Sequence, residues 1–431
     1  MKTLRLGVIW YVIVTVGFAS VGYAAAYRSP SLIKQAPEPR AAIDPRLQIF
    51  AIDPETGLLQ IHCSATEGAL QPSTVRISED FTANEVHIEI NGTHGKRRID
   101  QVSGYDVELC GNSNWFSYQL AGTSTTLERA RTFRVLGGDS FDYVKFNFAT
   151  SAYGQYVHVA ERVSIELDLK NLSDQVEMHL FELIDADLRV DANLGSGNDG
   201  LSFVSYPGEL KGNLTVNVEG DSGDDTIFLD FSDLDIPQGR ELNLQVAGEQ
   251  YAFPGPSNEP LHGKDKIEAY FSGLLNGRLS LRIWGDDDLL RFPDYECMVG
   301  GENCVYLSDA SRIVQAVCDG LPFPSINVGE PEEGYCDLEE ALRTDPHYAA
   351  DQLHVFIGID PGSIGHVAAD VDAGLSSDTA ELILRAPANS SVGTSAQLSG
   401  GQLNSNVWDV CYVENAAAIN CEEIDASISV F

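Results

Sequence analysis

A short pattern recurs through the middle of this chain: Gly, any residue, Asp, any residue, then an aliphatic. It reads GNDGL at 197–201, GDDTI at 223–227, GKDKI at 263–267 and GDDDL at 285–289. GGDSF at 137–141 is a further copy with Phe141 in the aliphatic place, and 172–180 keeps Asp174 and Val176 without the glycine. Each copy follows a run in which apolar and polar residues alternate, as in Ile165-Leu167-Leu169, Leu188-Val190, Leu214-Val216-Val218 and Leu279-Leu281-Ile283. Alternation of period two marks a strand with one buried face. The unit is therefore strand, Gly/Asp corner, strand. The aspartates of the pattern, 139, 174, 199, 225, 265 and 287, are spaced 35, 25, 26, 40 and 22 residues apart. The shorter spacings suit the coils of a solenoid, and one coil cannot bury its own inner face, so the coils must stack on a shared core. An all-β fold built on a parallel β-solenoid is expected.

The rest of the 431 residues is arranged around that stack. Residues 1–26 carry Lys2 and Arg5, then an uncharged run ending in Ala24-Ala25-Ala26, which reads as a cleaved signal peptide; an uncleaved anchor is the competing reading. A linker is expected over 27–50, the solenoid over 51–292, a cysteine-rich region over 293–345 and a C-terminal β region over 346–431. Short helices are expected at 308–320, with Ala310, Ile313, Val314 and Val317 on one face, and at 336–342, so the C-terminal region is expected to be disulfide-containing and partly helical. The eight cysteines suit an oxidising compartment. Proximity pairs Cys63 with Cys110, Cys297 with Cys304, Cys318 with Cys336 and Cys411 with Cys421. The protein is expected to be secreted, at the cell surface or periplasmic, with no membrane insertion after cleavage.

Charge narrows the partners. The formal net charge is −37, and loss of Lys2 and Arg5 with the leader takes it to −39. Such a field repels nucleic acid, anionic membranes and polyuronates, and attracts divalent cations. Within it lies the tetrad GDSG at 220–223, which raises the question of a nucleophilic serine at Ser222, with His62 and Asp106 upstream in the order of a chymotrypsin-like triad. Three features oppose that reading. Asp224 follows the tetrad and adds negative charge beside an oxyanion site, and no cysteine precedes Cys63 to pair with it. The register of the repeat also places Leu136, Ser196, His262 and Trp284 at the position of Ser222, which is the behaviour of a turn residue.

The corners resemble the hemolysin-type (RTX) calcium repeats, with Gly195, Gly197, Asp199 and Leu201 in the places of that nonapeptide, and again Gly220, Gly223, Asp225 and Ile227. The resemblance implies that glycines make the tight turns, that aspartates and turn carbonyls hold Ca²⁺, and that the aliphatic enters the core. Calcium is the cofactor expected on this basis. The candidate ligands are Asn198, Asp199, Asp221, Asp224, Asp225, Asp265, Asp286 and Asp287. The alternative is that Gly and Asp are present only as good turn formers. A second resemblance, CDLEEAL at 336–342 to the CSLREAI motif of bacterial right-handed β-helix proteins, rests on Cys336, Leu338, Glu340 and Ala341.

Two functions are compatible with these readings. One is an exported structural, adhesive or ligand-binding solenoid, calcium-stabilised, whose partner is an extracellular polysaccharide or a cell-surface ligand. The other is a polysaccharide-active lyase or hydrolase on a β-helix scaffold, although no catalytic pair stands out among 64 acidic residues.

Overall fold

The computed structural model describes residues 51–425, apart from 64–71, 111–112, 122–125, 149–157, 181–182, 249–263, 286–350, 375–377, 401–409 and 420–422 and the single residues 160, 185 and 206. The chain winds through three sheets. Sheet A has 12 strands, sheet B has 13 and sheet C has 5 short ones. One coil shows the rule: Leu188–Asn193 runs in sheet A, a corner follows, Gly200–Ser205 runs in sheet B, Gly208–Leu210 touches sheet C, and Leu214–Glu219 re-enters sheet A. Leu188 pairs in parallel with Leu214, and Leu214 with Leu242, so one turn takes 26 and then 28 residues. This is the parallel β-solenoid expected from the repeat.

Parallel register stacks like on like. Ile165, Val190, Val216 and Leu244 form one inward column of sheet A, and Met178, Phe203 and Leu229 form one of sheet B. All are buried. Each such side chain contributes about 1.5–3 kcal/mol on burial. The first coils are filled by rings, with Phe133 5.2 Å from Phe146 and 4.6 Å from Tyr118. Later coils carry smaller residues such as Ala269, Ala369 and Ala380 at the core.

Several expectations change on this framework. Lys266 pairs with Gln352 and Arg278 with His366, so the strands after 351 continue the same two sheets. The C-terminal β region is therefore more of the stack, and 286–350 is an insertion at one corner. The helices expected at 308–320 and 336–342 lie outside the described residues, as do the leader and the linker. Among the described residues the helical element is the single 3-10 turn Ile99–Gln101, and no helix is long and apolar enough to cross a membrane. The partly helical C-terminal region thus finds no support. The Cys63–Cys110 disulfide is present. Cys411 is also disulfide-bonded, and the remaining predicted partners lie outside the described residues.

The N-terminal end is closed differently. Thr74–Asp80 pairs in parallel with Asn114–Leu120 on one side and antiparallel with Glu85–Ile90 on the other, and Thr93–Arg98 ends the sheet. Alternation turns Val75, Ile77 and Glu79 inward, which places a carboxylate in the core. Glu79 accepts hydrogen bonds from Arg131 Nε at 2.7 Å, Tyr118 OH at 3.2 Å and Tyr105 OH. Burial, and then the charge of Glu79, holds both tyrosines well above their usual range. Glu79 and Arg131 are 0% and 1% exposed, so removing one partner strands a buried charge. We expect Glu79→Ala to cost about 3–5 kcal/mol in urea unfolding; a loss under about 1 kcal/mol would contradict this arrangement. A second expectation concerns the insertion. Replacing 286–350 by the four corner residues 221–224 should leave the far-ultraviolet dichroism and the cooperativity of unfolding unchanged.

Candidate functional site at the aspartate corner and the outer face of sheet B

The turn from sheet A to sheet B is built from two left-handed residues around a bridging one. Lys170, Gly195 and Asp221 have φ of 72°, 89° and 76°, and Leu172, Gly197 and Gly223 have φ of 70°, 144° and 128°. Between them Asn171, Ser196 and Ser222 form a column of parallel bridges. Glycine suits these positions because it carries no Cβ; one added to Gly223 would lie 1.9 Å from the carbonyl oxygen of Gly197. Ser222 is thus the third member of a turn column, as the repeat implied. Asp106 does pair with His62, at 3.0 Å. However, four strand steps of sheet A separate Asp106 from Ser222, roughly 19 Å along the stack, and no triad forms.

After the turn, each coil from Asp142 to Asp378 places one aspartate at the start of its sheet B strand, and these aspartates form a continuous ladder. The amide N–H of Asp142 donates to Asp174 Oδ1 at 2.6 Å, Asp174 to Asp199 at 2.5 Å, Asp199 to Asp225 at 2.8 Å, and Asp225 to Asp265 at 2.8 Å. Asp265 continues to Asp351 and Asp351 to Asp378, both at 2.8 Å. Asn114 begins the column by donating its side-chain amide to Asp142. The seven aspartates are 0 to 3% exposed. The second oxygen of four of them, Asp142, Asp225, Asp265 and Asp351, lies against a glycine. A Cβ on Gly220 would meet Asp225 Oδ2 at 2.2 Å and the carbonyl oxygen of Gly248 at 2.0 Å, and Gly137, Gly248 and Gly285 stand in the same way beside Asp142, Asp265 and Asp351. In those four coils glycine and aspartate are complementary parts of one corner, whereas Leu169, Leu194 and Ala373 take the glycine's place in the others.

The predicted ligands separate on this geometry. Asp199, Asp225 and Asp265 point inward and belong to the ladder. Asn198 and Asp224 lie on the exposed side of the corner, where Asn198 Oδ1 accepts the Asp224 amide at 3.2 Å and Asp224 Oδ1 accepts that of Lys264 at 2.9 Å. Asp221 is half-buried, with its carboxyl raised by burial and by Asp168. Asp286 and Asp287 lie outside the described residues. Two ladder positions differ from those read in the pattern: Asp142 takes the place expected for Asp139, and Asp351 that expected for Asp287. Asp378 was not anticipated. Among the described residues, the carboxylates are not gathered into one coordination sphere; the one set of three ligand groups within 4.8 Å is Cys63, Cys110 and Glu108, and those cysteines form a disulfide.

Both outer faces carry ion pairs, those of sheet A including Arg134 with Glu166 at 3.0 Å and Arg278 with Glu241 at 3.4 Å. On sheet B, Lys145 pairs with Glu177 at 2.6 Å, Lys266 with Glu268 at 2.7 Å, His354 with Glu381 at 3.2 Å and Arg385 with Glu414 at 2.9 Å. Glu177 is lowered to about 2 by its bond to His179, then by those to Lys145 and Tyr143, so it stays ionised and cannot act as a general acid near neutrality. Aromatic rings share this face: Trp115 lies 4.2 Å from Tyr143, Phe228 5.9 Å from Tyr270, and the Arg385 guanidinium 5.5 Å from the Phe356 ring. On sheet A, burial raises the Glu219 carboxyl, and Asp221 and Asp191 raise it further. That edge is anionic. No protein-family model, curated protein or solved structure matches the chain.

The ladder carries a pH dependence of definite sign. Burial, the largest cause, pushes Asp174 up to about 8 and Asp199 up to about 7, although each accepts a backbone amide. An aspartate in the unfolded chain titrates near ~3.9. Between about pH 4 and pH 8 the folded state therefore keeps protons that the unfolded state has released, so this stabilising contribution is full below about pH 4 and lost as pH rises through 7 to 8. We expect stability to fall by on the order of 1–3 kcal/mol from about pH 5 to pH 9. Asp199→Asn keeps the Oδ1 acceptor without a charge and should flatten that slope. Asp199→Ala leaves the Asp174 amide without its acceptor and should cost about 1–3 kcal/mol at every pH. Urea titrations of the three proteins across the range check these outcomes, and a pH slope in Asp199→Asn equal to wild type would refute the assignment.

Proposed function

We propose that this chain is an exported β-solenoid whose role is interaction, and that it lays an extended extracellular polysaccharide or cell-surface glycan along the outer face of sheet B. The observation that carries this reading is the combination on that face of aromatic rings with carboxylates paired to Lys145, Lys266, His354 and Arg385, in a chain of net charge −37. Parallel strands repeat about every 4.8 Å, so a polymer crossing them meets a periodic row of similar groups. Aromatic faces pack against the apolar face of a sugar ring, and paired charges keep donors and acceptors for its hydroxyls. Calcium belongs to this proposal through the anionic edge of sheet A, where Asp221 and Glu219 are crowded by like charges. A cation there would relieve the repulsion.

Co-sedimentation with insoluble polysaccharides, calorimetry with soluble ones, and an assay for reducing ends or unsaturated products test the reading together. Binding without product is expected, and Tyr270→Ala combined with Phe356→Ala should weaken it by about tenfold or more, near 1.4 kcal/mol. Catalytic product release would replace this reading with that of a polysaccharide-active enzyme. Calcium should raise the melting temperature by mass action, equivalent to about 2.7 kcal/mol at roughly one hundred times the dissociation constant. Asp221→Asn should blunt that response, and a melt indifferent to calcium would leave Asp221 as a turn residue only.

A further inference from the structure

At the N-terminal end of the outer face of sheet B, the side chains of four neighbouring strands enclose a groove of about 410 Å³. Its shape follows from register. Ser117 lies directly between Arg76 and Lys145 in neighbouring strands, and Arg76 is opposite Glu89 on the next. A small residue between long ones leaves a low floor. Trp115, two residues before Ser117 and on the same face, stands at the edge. Its position is fixed by Tyr143, which is 3% exposed, packs against it at an interplanar angle of 31° and bonds to Glu177.

We propose that this groove is a subsite for one uncharged sugar ring, with Trp115 as the platform and Arg76, Ser117 and Lys145 as the hydrogen-bonding rim. The inference rests on the polysaccharide reading above and narrows its ligand. Each basic side chain at the groove already has a carboxylate partner: Arg76 with Glu89 at 3.2 Å, His87 with Glu85 at 3.1 Å and Lys145 with Glu177 at 2.6 Å. An anionic ring would compete with those carboxylates inside an acidic protein's field. A wholly apolar ligand would cover guanidinium and ammonium donors without satisfying them. A ring with hydroxyls on its edge and C–H groups on its face meets both demands. Arg76 has five N–H donors and Lys145 three, so each can serve a hydroxyl while keeping its carboxylate. A groove of this size lies at the small end of ligand sites, which suits one or two rings.

The test titrates the full chain with neutral hexose oligosaccharides and with uronate oligosaccharides of equal length, following tryptophan emission and calorimetric heat. Neutral oligosaccharides should bind, alter the emission, and lose less than about twofold in affinity between roughly 50 and 500 mM salt. Trp115→Ala should weaken binding by about tenfold or more, and Arg76→Ala by a few fold. Arg76 is half exposed and its ion pair contributes little to stability, so that variant keeps its fold. Ser117→Trp, which fills the groove from the outer face, should abolish the emission change; it carries the test if Trp115→Ala fails to fold. If the variants bind oligosaccharides and polymer like wild type, the subsite is wrong while the wider face stands. Preference for uronates with steep salt dependence would overturn the uncharged ligand. A wild-type protein that binds no saccharide at all would sink both readings.

Discussion

From Asp142 to Asp378, each coil of this protein is held to the next by a carboxylate oxygen that accepts a backbone amide across the stack, and the rest of the corner is arranged around that bond. A buried amide without an acceptor costs about 1–3 kcal/mol, so a corner that leaves the sheet ladder needs a substitute acceptor. Asp174, Asp199, Asp225, Asp265, Asp351 and Asp378 supply it in turn. The difficulty is charge. Two ionised carboxylates about 4.8 Å apart repel by roughly 3.5 kcal/mol at an effective dielectric near 20, which exceeds the usual gain from one hydrogen bond. Retaining protons on part of the column lowers that repulsion, consistent with the upward displacement of Asp174 and Asp199. Glycine enters at 137, 220, 248 and 285 for a steric reason, because there the second carboxylate oxygen occupies the space that a Cβ would need.

This use of aspartate separates architecture from recognition. Oxygens that look from the sequence like cation ligands are committed to the neighbouring coil at Asp199, Asp225 and Asp265, and at Asp225 and Asp265 the second oxygen is turned toward a glycine in the interior. What remains at the corner outside the ladder is a smaller set, the exposed Asn198 and Asp224 and the half-buried Asp221. The outer side chains of sheets A and B are not constrained by the core and can be chosen for charge and shape. Both sheets use that freedom to pair carboxylates across coils, as Lys145 with Glu177 and Arg385 with Glu414 on sheet B and Arg134 with Glu166 on sheet A.

The solenoid was legible because its signal is repeated: the alternating runs and the Gly/Asp corner recur at coil spacing, and four of the ladder aspartates, 174, 199, 225 and 265, were read directly. The other three were hidden for identifiable reasons. Asp139 and Asp287 sit at the expected offset from a glycine and imitate the pattern, whereas the true rule is an aspartate at the start of the sheet B strand. Asp351 is separated from Gly285 by 286–350, and Asp378 follows LSS instead of a glycine. A search anchored on the strand, for Asp followed by an alternating run as in DQLHVFI and DTAELIL, would have found both. The Trp115 groove had no comparable signal. Its members come from strands distant in sequence and share no repeat, so only register brings them together.

Register survives large changes in the connecting chain, which says where the stabilising energy lies. Along sheet B, Gly200 pairs with Thr226, Thr226 with Lys266 and Lys266 with Gln352, steps of 26, 40 and 86 residues that leave the pairing unshifted. Both long steps carry their extra residues, 249–263 and 286–350, at the same corner, between the glycine and its aspartate. Lengthening a flexible connection from 4 to 65 residues costs about 2.5 kcal/mol in closure entropy, because the penalty grows only with the logarithm of length. Against it stand the eight in-register pairs of Gln352–Ile359 with Lys266–Gly273, the burial of Leu353, Val355 and Ile357, and the amide bond from Asp265 to Asp351. Three buried aliphatics alone contribute more than the loop costs, at about 1.5–3 kcal/mol each. The corner can therefore host long segments while the ladder and the core keep the coils aligned, and the outer faces remain in fixed register on either side of the insertion.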